Sequence, residues 1–416
     1  MPVATPKCWV EALTSTQYGI FTTGETDGAG RAAVLIQLGT IAGPARIAVS
    51  VPTLGIQDTA RYTVLPGQPA YVLMTPSDTS MYASGSYTVH SSVVDRFMNA
   101  RNDPVAYTAS SPGVSVSSAG VVSASTTGRY TLTGTAGGAS GLSSLSIVPH
   151  GTVTALVLRA NGERIVTFNL DGSGLRDVIG VMDNDNGIGP RPRWLPGSST
   201  IIYSDIVAGR EQIRTIDASG NVSTLIPSPP ATLMQQNEPS PSANAPVLYF
   251  TGHDSRCFIP PFCLFRAGID GTNPELLDEL IAAGEAATHP SASPDGSRVA
   301  FTTSGPRIKV FDYNTKTISA WSVTGDYPSW SPDGTQIASV DPNGLGNLRL
   351  VNADGTNQRL ISSGGRQYTD APVVWSPDSK WFIGVNLSGS LDIIEVATGN
   401  VLPIRNGPGY ATMSWR

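Results

Sequence analysis

The sequence predicts an all-β protein in which β-sandwich domains precede a ring of small antiparallel sheets. Three segments lead to this prediction, because in each a Ser-Pro-Asp turn is followed by a short apolar strand: 290–296 (PSASPDG), 328–334 (PSWSPDG) and 372–378 (PVVWSPD). In such a turn Pro presets φ, Asp hydrogen-bonds to nearby backbone, and Gly accepts a positive φ. The composition agrees, since 44 Gly and 32 Pro with only 14% charged residues suit a turn-rich β chain.

The segments recur in register along the C-terminal part of the chain. Fainter copies lie at 191–205 and 239–250, and a last copy ends the sequence at 412–416. Residues equivalent to Trp330 of PSWSPDG, called register marks below, are Trp194, Pro241, Ala292, Trp375 and Trp415. They recur roughly every 40 to 50 residues, the period of a propeller blade of four short strands. Residues 150–416 are therefore predicted to form a six-bladed β-propeller.

The two ends of this region are predicted to complete one blade together. Residues 152–180 contain the later strands of a unit without a first strand before them, and TMSWR at 412–416 is the missing first strand. Such closure removes the free sheet edges that invite aggregation.

The repeat resembles that of TolB-like propellers, the WD40-like PD40 repeat. The resemblance rests on PSWSPDG, the apolar strand after it, and the run Leu348 to Thr356 (LRLVNADGT). It implies a propeller that binds partners at the cell envelope, in TolB a peptidoglycan-associated lipoprotein and other Tol components. This chain lacks the α/β N-terminal domain of TolB, so the resemblance does not imply a role in the Tol system itself.

The N-terminal part resembles bacterial Ig-like (BIG) domains. Residues 26–52, with strands expected at Ala32–Leu38 and Arg46–Val51, are similar to the last strands of the invasin type, so 1–66 is interpreted as a partial Ig-like domain. Residues 67–149 resemble a complete Ig-like β-sandwich, with about seven short strands and a turn at 95–99. The resemblance implies an exported protein, periplasmic or at the cell surface.

The start of the chain leaves two interpretations open. It has no basic region followed by an apolar core and a cleavage site, so it is not a signal peptide. Either the protein is cytoplasmic or the true start lies upstream. We favour the second interpretation, because residues 1–25 are too few for the missing strands of an Ig-like domain.

Composition and charge argue against nucleic-acid binding and against a membrane span. The net charge is −6 without a block of basic residues, which argues against nucleic-acid binding. The sequence has no run of eighteen apolar residues, so no membrane span is predicted.

Two local motifs suggest a disulfide and a metal site. Cys257 and Cys263 frame CFIPPFC, and we expect a disulfide across this hairpin, the alternative being two buried thiols. Asp183 and Asp185 in MDNDNG place two carboxylates for a hard cation, so Ca²⁺ is the one cofactor considered. The match to a calcium loop is incomplete, and an acidic solvated loop is the alternative.

Candidate binding residues come just before each first strand of a blade. In a propeller these positions converge on one mouth of the central channel, so a polar funnel is expected there. Its predicted members are Arg191, Arg193, Glu238, His289, Asp326, Tyr327, Asp370 and Tyr410. His289 is considered as a metal or substrate ligand, and a hydrogen-bonded residue at the channel mouth is the plainer alternative.

Three hypotheses for function follow. The first is a non-catalytic binding or scaffold protein whose propeller docks a protein, peptide or glycan, with the Ig-like domains as spacers. The second is a polysaccharide-active lyase or hydrolase that uses the funnel. The third is a structural or adhesive surface protein. The G-x-S-x-G motif is absent, so no catalytic residue is assigned. A monomer is expected, because a closed propeller has no free sheet edge.

Overall fold

The computed structural model describes the chain except residues 1–6, 15–19, 37–38, 160–161, 183–190, 258–262, 285, 343–345, 362–364, 370 and 405–409. The chain forms two compact units. The first comprises Met1–Asp78, Gly85–Ser125 and Tyr130–Leu145, and the second comprises Thr79–Ser84, Thr126–Arg129 and Ser146–Arg416.

Regular structure in the described residues is almost entirely strand. The exceptions are a short 3₁₀ turn at Pro52–Leu54 and one helix of 5 residues, α1 (Asp278–Ala282). Within the described ranges, no helix is long and apolar enough to span a membrane.

The N-terminal strands form small sheets. In chain order they are β1 (Lys7–Thr14), β2 (Ile20–Glu25), β3 (Gly43–Val51), β4 (Ile56–Val64), β5 (Pro69–Thr75), β6 (Asp78–Tyr82), β7 (Ser86–Thr88), β8 (His90–Asp95), β9 (Ala100–Arg101), β10 (Ala106–Ala109), β11 (Val114–Val116), β12 (Val121–Ala124), β13 (Gly128–Ala136) and β14 (Ala139–Val148). The strand orders are β2-β1-β3-β4, β10-β13-β14-β6, β11-β12-β7 and β5-β8-β9. Burial alternates along β13, where Tyr130, Leu132 and Ala136 are buried, as expected for a strand with one face in a core.

One strand expected from the sequence is absent. Residues 32–36 have no regular secondary structure, and Leu35 is 97% exposed, so the strand predicted at Ala32–Leu38 is wrong there. An alternating pattern forms a strand only where a neighbouring strand pairs with it, and β1 pairs instead with β2 and β3.

The turn expected at 95–99 is present. The Asp95 carboxylate accepts hydrogen bonds from the backbone N–H groups of Phe97 and Asn99, at 2.8 and 3.0 Å. Met98 occupies the position where a Gly is usual, and its φ is +67°.

The remaining strands form six further sheets among the described residues. They are β15 (Thr152–Arg159), β16 (Gly162–Asn169), β17 (Arg176–Met182), β18 (Arg193–Trp194), β19 (Ile201–Val207), β20 (Arg210–Ile216), β21 (Val222–Thr224), β22 (Leu233–Pro241), β23 (Val247–Asp254), β24 (Cys263–Gly268), β25 (Glu275–Leu276), β26 (Thr288–Ala292), β27 (Arg298–Thr302), β28 (Arg307–Asp312), β29 (Thr317–Ile318), β30 (Val323–Thr324), β31 (Asp326–Trp330), β32 (Gln336–Val340), β33 (Leu348–Asn352), β34 (Arg359–Ile361), β35 (Val374–Trp375), β36 (Trp381–Val385), β37 (Leu391–Glu395), β38 (Val401–Ile404) and β39 (Tyr410–Trp415).

Five of these sheets follow the chain directly. Their orders are β18-β19-β20-β21, β22-β23-β24-β25, β26-β27-β28-β29 with β30 also on β28, β31-β32-β33-β34, and β35-β36-β37-β38. The sixth has the order β17-β16-β15-β39, so the last strand of the chain pairs with β15. In this pairing Trp415 lies opposite Val153. The first strands also contact one another in a closed circuit, β39 to β18, β22, β26, β31, β35 and back to β39.

The Ser-Pro-Asp-Gly segments form hairpin turns with a shared hydrogen-bond pattern. The Ser331 hydroxyl donates to Asp333 at 2.6 Å and accepts the backbone N–H of Gln336 at 3.0 Å. Asp333 also accepts the N–H of Thr335, and Gly334 has a φ of +75°. Ser293 with Asp295, and Ser376 with Asp378, make the same hydroxyl contact. The repeated motif is thus explained by turn chemistry, as the sequence indicated.

Candidate functional site

The backbone is bent in the same way just before β18, within β22 and near the start of β26 and β31. Arg191, Glu238, His289 and Tyr327 are each followed by Pro and have φ values of +29°, +51°, +53° and +51°. Positive φ is rare and costly for residues other than Gly. The pairing register of β22, β26 and β31 with the neighbouring strand also shifts here. Such irregularities redirect side chains out of the regular pattern of a strand.

The redirected side chains meet around one buried carboxylate. Glu238 is 6% exposed, and its Oε1 lies 2.8 Å from Nη1 of Arg191. Its Oε2 accepts the backbone N–H of His289 at 2.9 Å and the Thr251 hydroxyl at 3.2 Å. One carboxylate therefore links the entrances of three neighbouring first strands. A buried charge requires this degree of pairing to be tolerated.

His289 extends the network to a second carboxylate. Its Nδ1 lies 2.8 Å from Oδ1 of Asp326, and its Nε2 lies 3.6 Å from Oε1 of Glu238. The imidazole stacks on the Tyr327 ring with 4.0 Å between centroids and an angle of 16°. The Arg191 guanidinium lies over the same ring, 5.4 Å from its centroid. Arg191, Glu238, His289, Asp326 and Tyr327 are called the entrance cluster below.

The electrostatics of the entrance cluster favour an ionised Asp326. Burial acts to raise the pKa of this carboxyl group, but the hydrogen bond and charge of His289 and the Tyr327 N–H outweigh it, so the pKa lies below its usual value. The cluster thus presents charged groups that are already ordered by one another. A partner that meets such groups loses little free energy in ordering them.

The structure brings five of the eight predicted funnel residues together, and it places two others, Arg193 and Tyr410, elsewhere. Arg193 lies on β18 and donates from Nη1 to the main-chain oxygen of Met413. Tyr410 pairs with Val157 in the closing sheet, and its ring packs on Phe168 at 5.1 Å. Asp370 lies outside the described residues.

One participant was not anticipated from the sequence. Thr251 lies within β23, opposite Asn237 in the antiparallel pairing, which is why its hydroxyl reaches Glu238. The signal was available in principle, because residues that face each other in a hairpin lie side by side.

The predicted metal and disulfide residues have different outcomes. Asp183 and Asp185 lie outside the described residues, so the Ca²⁺ site stays a prediction. Among the described residues, no group of three or more His, Cys, Asp or Glu side chains is arranged to hold a metal ion. The structure joins Cys257 to Cys263, with 6.2 Å between their Cα atoms, a separation typical of a disulfide.

Comparison with known proteins finds solved structures with a similar fold. Neither a protein-family model nor a curated protein matches the sequence. The solved structure of TolB from Acinetobacter baumannii is similar, with a TM-score of 0.51 and 14% identity, over 75% of this chain and 82% of that one. The fold is that of a TolB-like β-propeller.

Further solved structures are more distant. A putative TolB from Agrobacterium tumefaciens has a TM-score of 0.44 and 12% identity, over 64% of this chain and 92% of that one. An oligogalacturonate lyase in complex with manganese has a TM-score of 0.42 and 12% identity, over 77% of this chain and 85% of that one. At such identities a likeness concerns the fold and not the activity.

Proposed function

We propose that the protein is a non-catalytic binding scaffold of the bacterial envelope or surface. In this proposal the second unit is a six-bladed TolB-like propeller, and the entrance cluster is where a protein, peptide or glycan partner docks. The N-terminal sheets are Ig-like spacers, and the chain acts as a monomer. The location is carried by the sequence resemblance to TolB-like propellers and bacterial Ig-like domains.

The observation that supports docking is the convergence of the entrance cluster. The positive φ values of four residues place Arg191, Glu238, His289 and Tyr327 around one point. Repeats need only the Ser-Pro-Asp turns and apolar strands to fold, and at the position equivalent to these four residues the other two first strands have Pro372 and Thr412. Strained backbone that holds charged groups in place is typical of functional sites.

A polysaccharide-active enzyme is the second candidate. His289 receives orientation from the Asp326 carboxylate at 2.8 Å, and such a pair is the usual arrangement of a general base. The other nitrogen of the ring faces Glu238, so a substrate would have to displace this contact.

The test is ligand selection on the purified chain. A peptide display library and a glycan array are screened with wild type, with His289→Ala, and with His90→Ala as the control. His90 is exposed in β8 of the first unit. Ligands that bind wild type and His90→Ala but not His289→Ala would support the proposal.

Two results would overturn it. Ligands that bind all three proteins equally would place docking elsewhere, and an absence of specific ligands from both libraries would refute docking of these classes. Incubation with array-positive glycans, followed by detection of new reducing ends or unsaturated sugars, separates the enzyme from the scaffold. Product that forms with wild type and not with His289→Ala would make the protein an enzyme.

A further inference from the structure

A cavity of 810 Å³ lies among the first strands of the second unit. Its walls include the tryptophans Trp194, Trp330, Trp375 and Trp415, together with prolines from the turns, such as Pro294 and Pro332. Two register marks, Pro241 and Ala292, have smaller side chains than the tryptophan of the other repeats and also line it. A volume of this size suits a small organic ligand.

The charged side chains among the described residues that line the cavity are all basic. Among the described residues that line it there is no Asp or Glu, whereas two guanidinium groups are present, those of Arg193 and Arg416. The chain as a whole carries a net charge of −6, so a lining without acidic groups departs from the average of the protein. Arg416 stacks on Trp194, with 3.7 Å from its guanidinium carbon to the ring centroid, and donates to the Ser198 carbonyl at 2.8 Å.

Arg193 occupies a position that carries a Ser in four of the other five first strands. The residues just before the register marks are Arg193, Ser240, Ser291, Ser329, Val374 and Ser414, and all of them line the cavity. The Ser hydroxyls accept the backbone N–H of the register mark in the next sheet: Ser414 from Trp194 at 3.2 Å, Ser240 from Ala292 at 3.0 Å, and Ser291 from Trp330 at 2.9 Å.

This pattern explains why Arg is tolerated at position 193. The register mark in the sheet after β18 is Pro241, which has no N–H to donate. A hydroxyl acceptor at position 193 would therefore have no partner of this kind. The hydrogen bond of the repeat is therefore not available at position 193, and a cation stands there.

The hydrogen bonds of the Arg193 guanidinium to described residues use only one of its three nitrogen atoms. Its hydrogen bonds to described residues run from Nη1, to the main-chain oxygens of Met413 and Pro192, and no described carboxylate pairs with it. The hydrogen bonds to described residues do not use the Nε–H and Nη2–H donors. Burial and the nearby charge of Arg191 lower the pKa of Arg193 to about 10, although the negative charge of Glu238 acts to raise it. An anion in the cavity would relieve this cost of burying the charge.

We propose that this cavity binds a carboxylate carried on an apolar body, with Arg193 as the anion-binding residue. The tryptophan and proline walls bury the apolar part, and the free N–H donors of the guanidinium hold the carboxylate in the planar arrangement that Arg and carboxylates favour. The proposal deepens the proposed function, because the ligand enters the same propeller, but Arg193 lies outside the entrance cluster.

The test uses 4-phenylbutyrate as the probe and its amide, 4-phenylbutanamide, as the neutral counterpart. Binding is measured by calorimetry and by tryptophan fluorescence, since the cavity is lined by tryptophans. We expect the amide to bind about 10- to 100-fold more weakly, the range for loss of a hydrogen bond to a charged group. Arg193→Met should weaken phenylbutyrate by a similar factor and leave the amide unchanged.

The matched control is Arg210→Met, which removes an exposed Arg at the start of β20. It should bind phenylbutyrate like wild type.

If Arg193→Met fails to fold, as judged by its melting curve, Ala292→Trp serves instead. This change fills the cavity with the side chain of the other repeats and should abolish binding. Equal affinity for acid and amide, no effect of Arg193→Met, or no binding of either probe would overturn the proposal.

Two further arms separate related outcomes. N-acetyl-Pro-Phe carries the carboxylate on a peptide terminus, and tighter binding than phenylbutyrate would assign the natural ligand to a peptide rather than a free acid. His289→Ala should retain phenylbutyrate binding, because His289 does not line the cavity. If His289→Ala loses the display-selected ligands but still binds phenylbutyrate, the two sites are separate. Each proposal can then fail without the other.

Discussion

Removal of the Glu238 carboxylate should destabilise the second unit more than removal of any surface carboxylate. The Glu238→Ala change deprives Arg191 of its ion-pair partner at 2.8 Å, and the His289 N–H and Thr251 hydroxyl of their acceptor. Because these groups are largely buried, water does not fully replace the lost contacts. Loss of one partner of a buried ion pair costs about 3–5 kcal/mol.

Differential scanning calorimetry at pH 7 measures this cost. For a unit of this size, 1 kcal/mol corresponds to about 2 °C in melting temperature, so the transition should fall by about 6–10 °C. Glu238→Gln keeps an acceptor for the N–H and hydroxyl groups but loses the charge, and its shift should be intermediate.

The control is Glu279→Ala. Glu279 pairs with Lys316 at 3.8 Å, and both side chains keep more than a third of their surface accessible to solvent, so the change should cost less than about 1 kcal/mol. If Glu238→Ala melts within the shift of this control, Glu238 does not hold the entrance cluster together, and the network described above is refuted.

Three further predictions concern the closing strand, the disulfide and acid stability. Trp415→Ala should cost about 3–5 kcal/mol in unfolding free energy, since Trp415 is buried in the last strand of the closing sheet; an unchanged melting curve would contradict this. Replacement of Cys257 and Cys263 by Ser should cost about 2 kcal/mol, the chain-entropy value for so short a loop, whereas equal melting of variant and wild type would exclude a stabilising bond. Because the pKa of Asp326 is lowered in the folded state, its contribution is present above the unfolded value of about 3.9 and is lost as pH falls through the folded value. Asp326→Asn should therefore lose less stability between pH 5 and pH 2 than wild type, and parallel pH profiles would refute this.

The general architecture was predictable because turn chemistry and strand pattern repeat. Ser331, Asp333 and Gly334 act through contacts within a few residues, so the motif itself specifies the hairpin. The pairing of β39 with β15 followed from counting strands in each repeat. The strand predicted at residues 32–36 does not form. Strand formation depends there on a pairing partner, which the local sequence does not encode.

The candidate site was predictable in its location and not in its detail. Convergence of the strand entrances placed Glu238, His289 and Asp326 near one another. The positive φ that aims these side chains has no local signature, since Arg191, Glu238, His289 and Tyr327 have only the following Pro in common. Each of these prolines stands two residues before its register mark, whereas Pro372 stands three residues before Trp375.

Arg193 shows a further limit of sequence reasoning. It was grouped with the funnel because it lies near the start of a first strand. In a regular strand, side chains two residues apart share a face. The bend at Arg191 breaks this pattern, and in the structure the Arg193 side chain lines the cavity. The hydrogen bonds that Ser240, Ser291 and Ser414 make at the equivalent position are a property of the structure and not of the sequence pattern.

Hydrogen–deuterium exchange with a bound ligand tests the central claim most directly. A peptide or glycan selected on wild type is added to saturation, and exchange is followed for peptides that cover 237–240, 288–291 and 326–329. These entrance segments should gain protection together, because they contribute the groups of one docking site. Protection confined to the first unit or to the outermost strands, with these three segments unchanged, would contradict the account.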